Sequence, residues 1–110
     1  MHHPGLPGAP DRKVAARLMP EGTGGMLAFD LAGGRSAVQS MLDAFGMVRF
    51  AASLGGVETT VSHPELTSHR GLTAEARSEL GIGPGTVRVS TGIEDPQDLV
   101  EDFRQALAGA

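Results

Sequence analysis

The sequence predicts an α+β fold: a small antiparallel sheet of three to four strands with helices on one face. Three observations predict it. Segments with apolar residues at every second position alternate with segments of helical periodicity. Glycine or proline separates most of these segments. The chain of 110 residues is long enough for one hydrophobic core but too short for two, so residues 1–110 are expected to form a single domain.

The first half of the chain predicts two helices and two strands after an extended lead-in, residues 1–10, which is rich in proline. Residues 11–19 predict a short helix that Pro20 ends. Residues 26–31 predict a half-buried strand, because apolar side chains alternate there with alanine and aspartate. A glycine pair then leads into a second helix, whose apolar stripe has helical spacing: Val38, Met41, Leu42 and Phe45. Residues 48–54 alternate again and predict a second strand.

The second half predicts two further strands and two further helices. Residues 58–62 predict a short third strand. Thr73 is a favourable N-cap for a short helix that Gly81 ends. Residues 86–91 predict the last strand, which follows a glycine- and proline-rich turn. Helices that cover one face of such a sheet form the natural α+β arrangement.

The last helix has the clearest local signals. Asp95 is a favourable N-cap, and Pro96 fits the first helical position. Four apolar residues predict the buried stripe: Leu99, Val100, Phe103 and Leu107. The acidic residues of the same helix are expected to form a solvated face near its positive dipole end: Asp98, Glu101 and Asp102.

The composition excludes several classes of function. The formal net charge of −4 disfavours nucleic acid as a partner, because phosphate binding needs clustered Lys and Arg. No stretch approaches the ~20 apolar residues of a membrane span, so no membrane partner is expected. The amino terminus lacks the apolar core of a signal peptide, and a cytoplasmic location is expected. The absence of cysteine excludes disulfides and thiol chemistry.

Arg88 is the first candidate for a ligand-binding residue. It lies in a strand that alternates Val87 and Val89 with polar residues, so its side chain projects from the more polar face, between two hydroxyl residues. A guanidinium offers a rigid two-pronged donor that matches a carboxylate. The alternative is a surface arginine in an ordinary ion pair, and the spacing alone favours that alternative.

Ser53 is the second candidate. It precedes Leu54, Gly55 and Gly56 in a turn whose small residues let the backbone approach a ligand. The alternative is a plain serine at the end of a strand. No histidine and acid are spaced to activate this hydroxyl, so a hydrolase triad is not expected.

The remaining motifs predict turns or surface residues. Residues 81–85 lack the Lys–Ser/Thr end of a phosphate-binding loop, and residues 22–25 precede a strand, so both predict turns. The histidines lack the i, i+4 spacing of a zinc pair, and no metal site is expected. His69 is expected to hydrogen-bond within its loop. Lys13, the only lysine, is expected at the surface.

Several segments occur in the order and with the spacings of one known family. They are Gly24-Gly25-Met26, Phe29-Asp30-Leu31, Ser53-Leu54-Gly55-Gly56-Val57-Glu58, His63-Pro64, Val87-Arg88-Val89-Ser90 and Gly92-Ile93-Glu94-Asp95. On these segments the whole chain resembles the C-terminal small domain of the pyridoxal-phosphate (PLP) enzymes of cysteine and methionine metabolism. That family contains cystathionine γ-synthase, cystathionine lyases, methionine γ-lyase and O-acetylhomoserine sulfhydrylase. The resemblance implies the small domain of a fold-type I PLP enzyme.

The resemblance implies roles for three residues. Arg88 matches the arginine that binds the substrate α-carboxylate, and Ser53 matches the serine whose segment helps to hold that group. Ala52 occupies a specificity position, where cystathionine-handling members often carry a glutamate that meets a distal ammonium. Ala52 offers no charge, which favours chemistry like that of methionine γ-lyase or the sulfhydrylases. Ser68 stands where the family usually has threonine and keeps the hydroxyl.

The resemblance also implies what the chain lacks. The Schiff-base lysine, the pyridine-nitrogen aspartate and the ring-stacking tyrosine of the family belong to its large N-terminal domain, and this chain has no tyrosine. PLP is therefore expected only in the complete enzyme, bound by the missing domain, and no catalytic or cofactor-binding residue is expected here. A separate large PLP-binding subunit is an expected partner, beside the amino-acid substrate, and the full-length family is expected to form homotetramers.

Two functions follow as hypotheses. The first is the substrate-binding portion of a carbon–sulfur lyase or sulfhydryl transferase that acts on methionine-, homocysteine- or cysteine-type amino acids and is inactive alone. The alternative is a non-catalytic, stand-alone α+β module that binds a partner protein or an amino acid.

Overall fold

The computed structural model describes residues 1–110. The elements follow one another as α1 (Arg12–Leu18), β1 (Met26–Asp30), α2 (Gly34–Ala44), β2 (Arg49–Phe50), β3 (Thr60–Ser62), α3 (Ala74–Glu79), β4 (Thr86–Ser90) and α4 (Pro96–Ala108). This order of helices and strands confirms the predicted α+β class.

The four strands form one mixed sheet in the order β1-β4-β3-β2. The central strand β4 pairs antiparallel with β1 on one side and with β3 on the other. β2 pairs with β3 in parallel, with Phe50 opposite Val61. The prediction of an antiparallel sheet is therefore wrong for the β2–β3 pair.

β2 ends at Phe50, earlier than the predicted strand end. The Ala51 N–H still donates to the Val61 carbonyl at 2.9 Å. Residues 51–59, called the 51–59 loop below, then bring the chain back to the start of β3. Gly55 in this loop has a φ of 73°, which a residue without a Cβ adopts at little cost.

The core lies between one face of the sheet and the helices α2 and α4. Eight buried residues form it: Phe29, Val38, Met41, Val48, Val61, Val87, Val89 and Ala106. The two helices also pack against each other, where the rings of Phe45 and Phe103 meet edge to face with centroids 4.9 Å apart. Coverage of one sheet face by helices agrees with the prediction.

Helix α4 begins as predicted, but it is rotated about its axis so that a different set of side chains is buried. The Asp95 carboxylate accepts a hydrogen bond from the Gln97 N–H at 2.8 Å, which caps the helix. Val100, predicted to be buried, is 55% exposed, whereas Ala106 is fully buried. Asp102, predicted to be solvated, is only 8% exposed. The prediction is wrong for Asp102 because that side chain has backbone partners in another part of the chain.

Asp102 binds the segment that connects α2 to β2. Its carboxylate accepts hydrogen bonds from the N–H groups of Gly46 (2.8 Å), Met47 (2.9 Å) and Val48 (2.9 Å), and from the Gln105 amide (2.9 Å). Burial opposes the charged form, but these bonds together hold the pKa of Asp102 below its usual value. Asp102 therefore fixes the end of α2 against α4.

The amino-terminal segment lies along the outer edge of β1. His2 donates its N–H to the Ala28 carbonyl at 2.7 Å and accepts the Ala28 N–H at 3.1 Å. Residues 4–8 then form turns, so the lead-in is less extended than predicted. None of the helices has both the length and the apolar character needed to cross a membrane.

Candidate carboxylate-binding site

Arg88 lies in the middle of the central strand β4. Its neighbours Val87 and Val89 enter the core, so the alternation of a strand directs Arg88 to the opposite face. Its register partners on the two adjacent strands are Ala28 and Ser62, both small residues. Arg88 is partly exposed on this polar face, as the sequence pattern predicts.

The structure brings Arg88 and Ser53 into contact. A guanidinium nitrogen of Arg88 donates to the Ser53 carbonyl oxygen at 3.0 Å, and the Thr60 hydroxyl donates to the same oxygen at 3.3 Å. The contact uses the backbone of Ser53, while Ser53 and Ala52 are both exposed. The 51–59 loop therefore sets the direction of the guanidinium.

The middle of the 51–59 loop is attached to β4 as well. The Gly55 N–H donates to the Ser90 hydroxyl at 3.1 Å, and Ser90 lies on the same strand face as Arg88. The loop is thus held across the polar face of β4.

The far end of the loop is held by Glu94. One oxygen of this carboxylate accepts the Thr59 N–H at 2.7 Å, and the other accepts the Thr59 hydroxyl at 2.7 Å. The Thr59 hydroxyl accepts in turn from the Gly92 N–H at 2.9 Å. The Thr59 N–H holds the pKa of Glu94 below its usual value, against an opposing effect of burial. These bonds join the 51–59 loop to the turn that follows β4.

Arg88 has no acidic partner within the chain. Five ion pairs are present, and Arg88 takes part in none of them. By contrast, a guanidinium nitrogen of Arg35 lies 2.7 Å from Oε1 of Glu65, and one of Arg77 lies 3.9 Å from the same oxygen. Arg104 pairs with an acid of its own helix. Because a guanidinium has several N–H donors, Arg88 can bind an anion and still contact Ser53.

A second polar cluster surrounds Glu65, whose Oε1 accepts from Arg35 while its buried Oε2 has no hydrogen-bond partner. The hydrogen bond from Arg35 holds the pKa of Glu65 below its usual value, although burial opposes this. His63 is buried, and its Nε2 lies 2.9 Å from the Pro84 carbonyl oxygen. His69 bonds the neighbouring Ser68 hydroxyl at 2.7 Å, within its loop as predicted. These contacts fix the turns that follow β3.

The residues around Arg88 do not fit a complete PLP site. An imine with the cofactor aldehyde needs a lysine amine. Lys13, the only lysine, is exposed on α1 as predicted, and it forms no hydrogen bond or ion pair with Arg88 or the 51–59 loop. Arg88 donates to the Ser53 carbonyl oxygen, and its register partners are Ala28 and Ser62. Lys13 therefore takes no part in the polar surface around Arg88.

Reasoning from the sequence missed two parts of this site. The roles of Thr59 and Glu94 were not predicted, although the run from Gly92 to Asp95 marked this turn through its family resemblance. The role of Ser90 as an anchor for Gly55 was not predicted either. Both depend on contacts between residues that are far apart in the chain.

Comparison with known proteins gives a single family. Residues 1–108 match the model of the Cys/Met metabolism PLP-dependent enzymes. The chain is 40% identical over 108 residues to the O-succinylhomoserine sulfhydrylase of Pseudomonas aeruginosa, and the match covers 98% of this chain and 27% of that protein. The chain thus spans little more than a quarter of the length of this curated relative.

Solved structures share the fold, and two of them illustrate it. The cystathionine γ-lyase of Micromonospora echinospora superimposes with a TM-score of 0.89 at 46% identity, over 99% of this chain and 28% of that one. The cystathionine γ-synthase of Xanthomonas oryzae pv. oryzae, in complex with aminoacrylate and cysteine, gives a TM-score of 0.88 at 42% identity, over 96% of this chain and 27% of that one. By sequence and by fold, the chain belongs to the Cys/Met metabolism PLP-dependent enzyme family.

Proposed function

We propose that this chain supplies the binding site for the substrate α-carboxylate in a PLP-dependent trans-sulfuration enzyme. The enzyme would be a carbon–sulfur lyase or sulfhydryl transferase for methionine-, homocysteine- or cysteine-type amino acids. Arg88 binds the carboxylate, and the segment of Ser53 holds the same group. One observation carries the proposal: Arg88 is directed by the Ser53 carbonyl at 3.0 Å and has no acidic partner in the chain.

The chemistry of the guanidinium suits this role. Its planar fork binds both oxygens of a carboxylate through parallel, charge-assisted hydrogen bonds. Two such bonds fix the orientation of the group as well as its position. The amino acid is then held with its reacting carbon in a set direction, and such positioning makes a large contribution to enzymatic rates.

The cofactor belongs to another part of the enzyme in this proposal. PLP, when bound, stabilises the carbanion of the substrate. We assign residues 1–110 as the C-terminal substrate domain, and the lysine that holds PLP lies on a large domain with no counterpart here. The relatives support this division, because the match covers only 27–28% of their chains. The chain alone is expected to bind a carboxylate without catalysing a reaction.

Arg88→Ala is expected to raise KM for the amino-acid substrate about 10- to 100-fold in the complex of this chain with its PLP-bearing polypeptide. The reason is the loss of charge-assisted hydrogen bonding to the carboxylate, which in total is worth about 1.5–3 kcal/mol. Steady-state kinetics on the reconstituted complex measures the change.

Two further variants make this measurement specific. Arg88→Lys keeps the charge but loses the fork, so its KM should lie between those of Arg88→Ala and the unmodified chain. Arg17→Ala removes an exposed arginine of α1 and should leave KM unchanged. An unchanged KM for Arg88→Ala would rule out the proposed role of this residue.

Ala52→Glu is expected to shift substrate preference toward cystathionine by about tenfold, because the new carboxylate meets the distal ammonium of that substrate. Ala52 is exposed on the 51–59 loop, next to Ser53, so the larger side chain is accommodated without disturbing the core. The measurement is the ratio of kcat/KM for cystathionine to that for methionine. Ala52→Gln is the uncharged control, and an equal shift in both variants would contradict the charge explanation.

A further inference from the structure

Two buried hydroxyl groups lie on the same face of the sheet as Arg88. Thr60 of β3 is 8% exposed and Ser90 of β4 is 3% exposed. The two residues are opposite each other in the β3–β4 register, and Ser90 is two positions beyond Arg88 on the same strand. The side chains of all three residues therefore project from one face. Buried hydroxyls are normally hydrogen-bonded, so their partners show what they stabilise.

Each hydroxyl binds the backbone of the 51–59 loop. The Thr60 hydroxyl donates to the Ser53 carbonyl oxygen at 3.3 Å. The Ser90 hydroxyl accepts the Gly55 N–H at 3.1 Å. Two adjacent strands thus fix two backbone positions that are only two residues apart in the loop.

The Ser53 carbonyl oxygen has a second donor in Arg88. A guanidinium nitrogen lies 3.0 Å from this oxygen, which has lone pairs for both donors. The hydrogen bond from Thr60 holds the oxygen independently of Arg88. The acceptor that orients the guanidinium is therefore itself fixed by a neighbouring strand.

We propose that Thr60 and Ser90 are positioning residues, which hold the Ser53 carbonyl oxygen where it orients the Arg88 guanidinium for a carboxylate. The inference rests on the proposed function and adds the residues on which the geometry of that site depends. An arginine that is oriented before the substrate arrives loses less conformational freedom on binding. Loss of either hydroxyl should therefore raise KM and leave kcat nearly unchanged.

Thr60→Val removes the hydroxyl and keeps the size and branching of the side chain. In the complex of this chain with its PLP-bearing polypeptide, it should raise KM for the amino-acid substrate about fivefold, as the loss of one neutral hydrogen bond predicts. Ser90→Ala should change KM in the same direction. Thr60→Ser keeps the hydroxyl and should give the KM of the unmodified chain. Thr67→Val is the matched control, because the Thr67 hydroxyl also donates to a backbone carbonyl, that of His63 at 2.9 Å, but lies outside the loop.

A double-mutant cycle tests whether Thr60 acts through Arg88. In an Arg88→Ala background, Thr60→Val should raise KM no further, because the guanidinium that it orients is gone. A hydroxyl that merely stabilised the fold would have the same effect in both backgrounds.

Nuclear magnetic resonance of the full chain, labelled with nitrogen-15, measures the orientation of Arg88 directly. Rotation of its guanidinium about the Nε–Cζ bond should be about threefold faster in Thr60→Val than in the unmodified chain or in Thr60→Ser, because the acceptor is less firmly held. Unchanged rotation in Thr60→Val would overturn the proposal, and so would an equal rise of KM in the Arg88→Ala background. If rotation changes as expected but Arg88→Ala leaves KM unchanged, the proposed function fails while the positioning role remains.

Discussion

Asp102→Ala is expected to lower the free energy of unfolding by about 3 kcal/mol. The substitution leaves three backbone N–H groups without their acceptor, at Gly46, Met47 and Val48. A buried donor without a partner costs about 1–3 kcal/mol. Gly46 is exposed and regains a bond to water, whereas Val48 is buried and does not. Unfolding in urea, followed by circular dichroism, measures the loss.

Glu101→Ala is the matched control for this prediction. Glu101 is the preceding residue of α4, and its only partner is Arg104 in an exposed pair. Such a pair contributes less than about 1 kcal/mol. If both variants lose the same stability, Asp102 does not have the structural role assigned to it.

The same carboxylate makes stability depend on pH. The pKa of Asp102 is lower in the folded chain than the value of 3.8 expected in the unfolded chain. Its contribution is therefore complete above pH 3.8 and is lost as the pH falls through the lower, folded value. The stability difference between the unmodified chain and Asp102→Ala should shrink over that acidic range, as urea unfolding at a series of pH values would show.

Gly92→Ala is expected to raise KM in the assembled enzyme about as much as Arg88→Ala, while the fold remains. A Cβ at Gly92 would overlap the Val57 carbonyl oxygen and lie 2.6 Å from the Glu58 carbonyl carbon. Backbone atoms this close cannot adjust without moving the 51–59 loop. Displacement of that loop breaks the hydrogen bond between the Arg88 guanidinium and the Ser53 carbonyl oxygen, so the guanidinium is no longer held in one orientation. Kinetics on the complex, combined with urea unfolding, measures both effects.

Gly71→Ala is the control for this second prediction. A Cβ at Gly71 meets nothing within 4 Å, so neither KM nor stability should change appreciably. A Gly92→Ala enzyme with the KM of the unmodified enzyme would show that the position of the loop does not control Arg88.

The elements with local signals were predictable from the sequence. Thr73 accepts the Ala76 N–H at 3.1 Å, and Asp95 accepts the Gln97 N–H at 2.8 Å, both as N-caps. An N-cap depends only on the capping residue and the two or three residues that follow it, so the sequence of that segment is enough to predict it. The alternation around Arg88 likewise placed its side chain on the polar face, because the period of a strand is local.

The early end of β2 was not predictable in the same way. Alternation continues through residues 51–54, but the chain then turns into a loop that Ser90 holds at Gly55 and Glu94 holds at Thr59. Asp102 was missed for a related reason. An acid on a helix usually faces solvent, and only the folded chain brings the backbone of Met47 to it. The Ser53 contact with Arg88 uses a carbonyl oxygen, which every residue type has, so residue identity did not reveal it.

The position of β4 at the centre of the sheet has a consequence for biosynthesis. Met26 pairs with Ser90, and Thr60 pairs with Ser90 from the other side. On the ribosome, β1 and β3 have no common neighbour until residues 86–90 emerge, so sheet assembly is a late event. Pairings between such distant residues also slow folding. Nascent chains stalled before Thr86 should therefore be susceptible to proteases, and protection should appear only after the strand that carries Arg88 has left the exit tunnel.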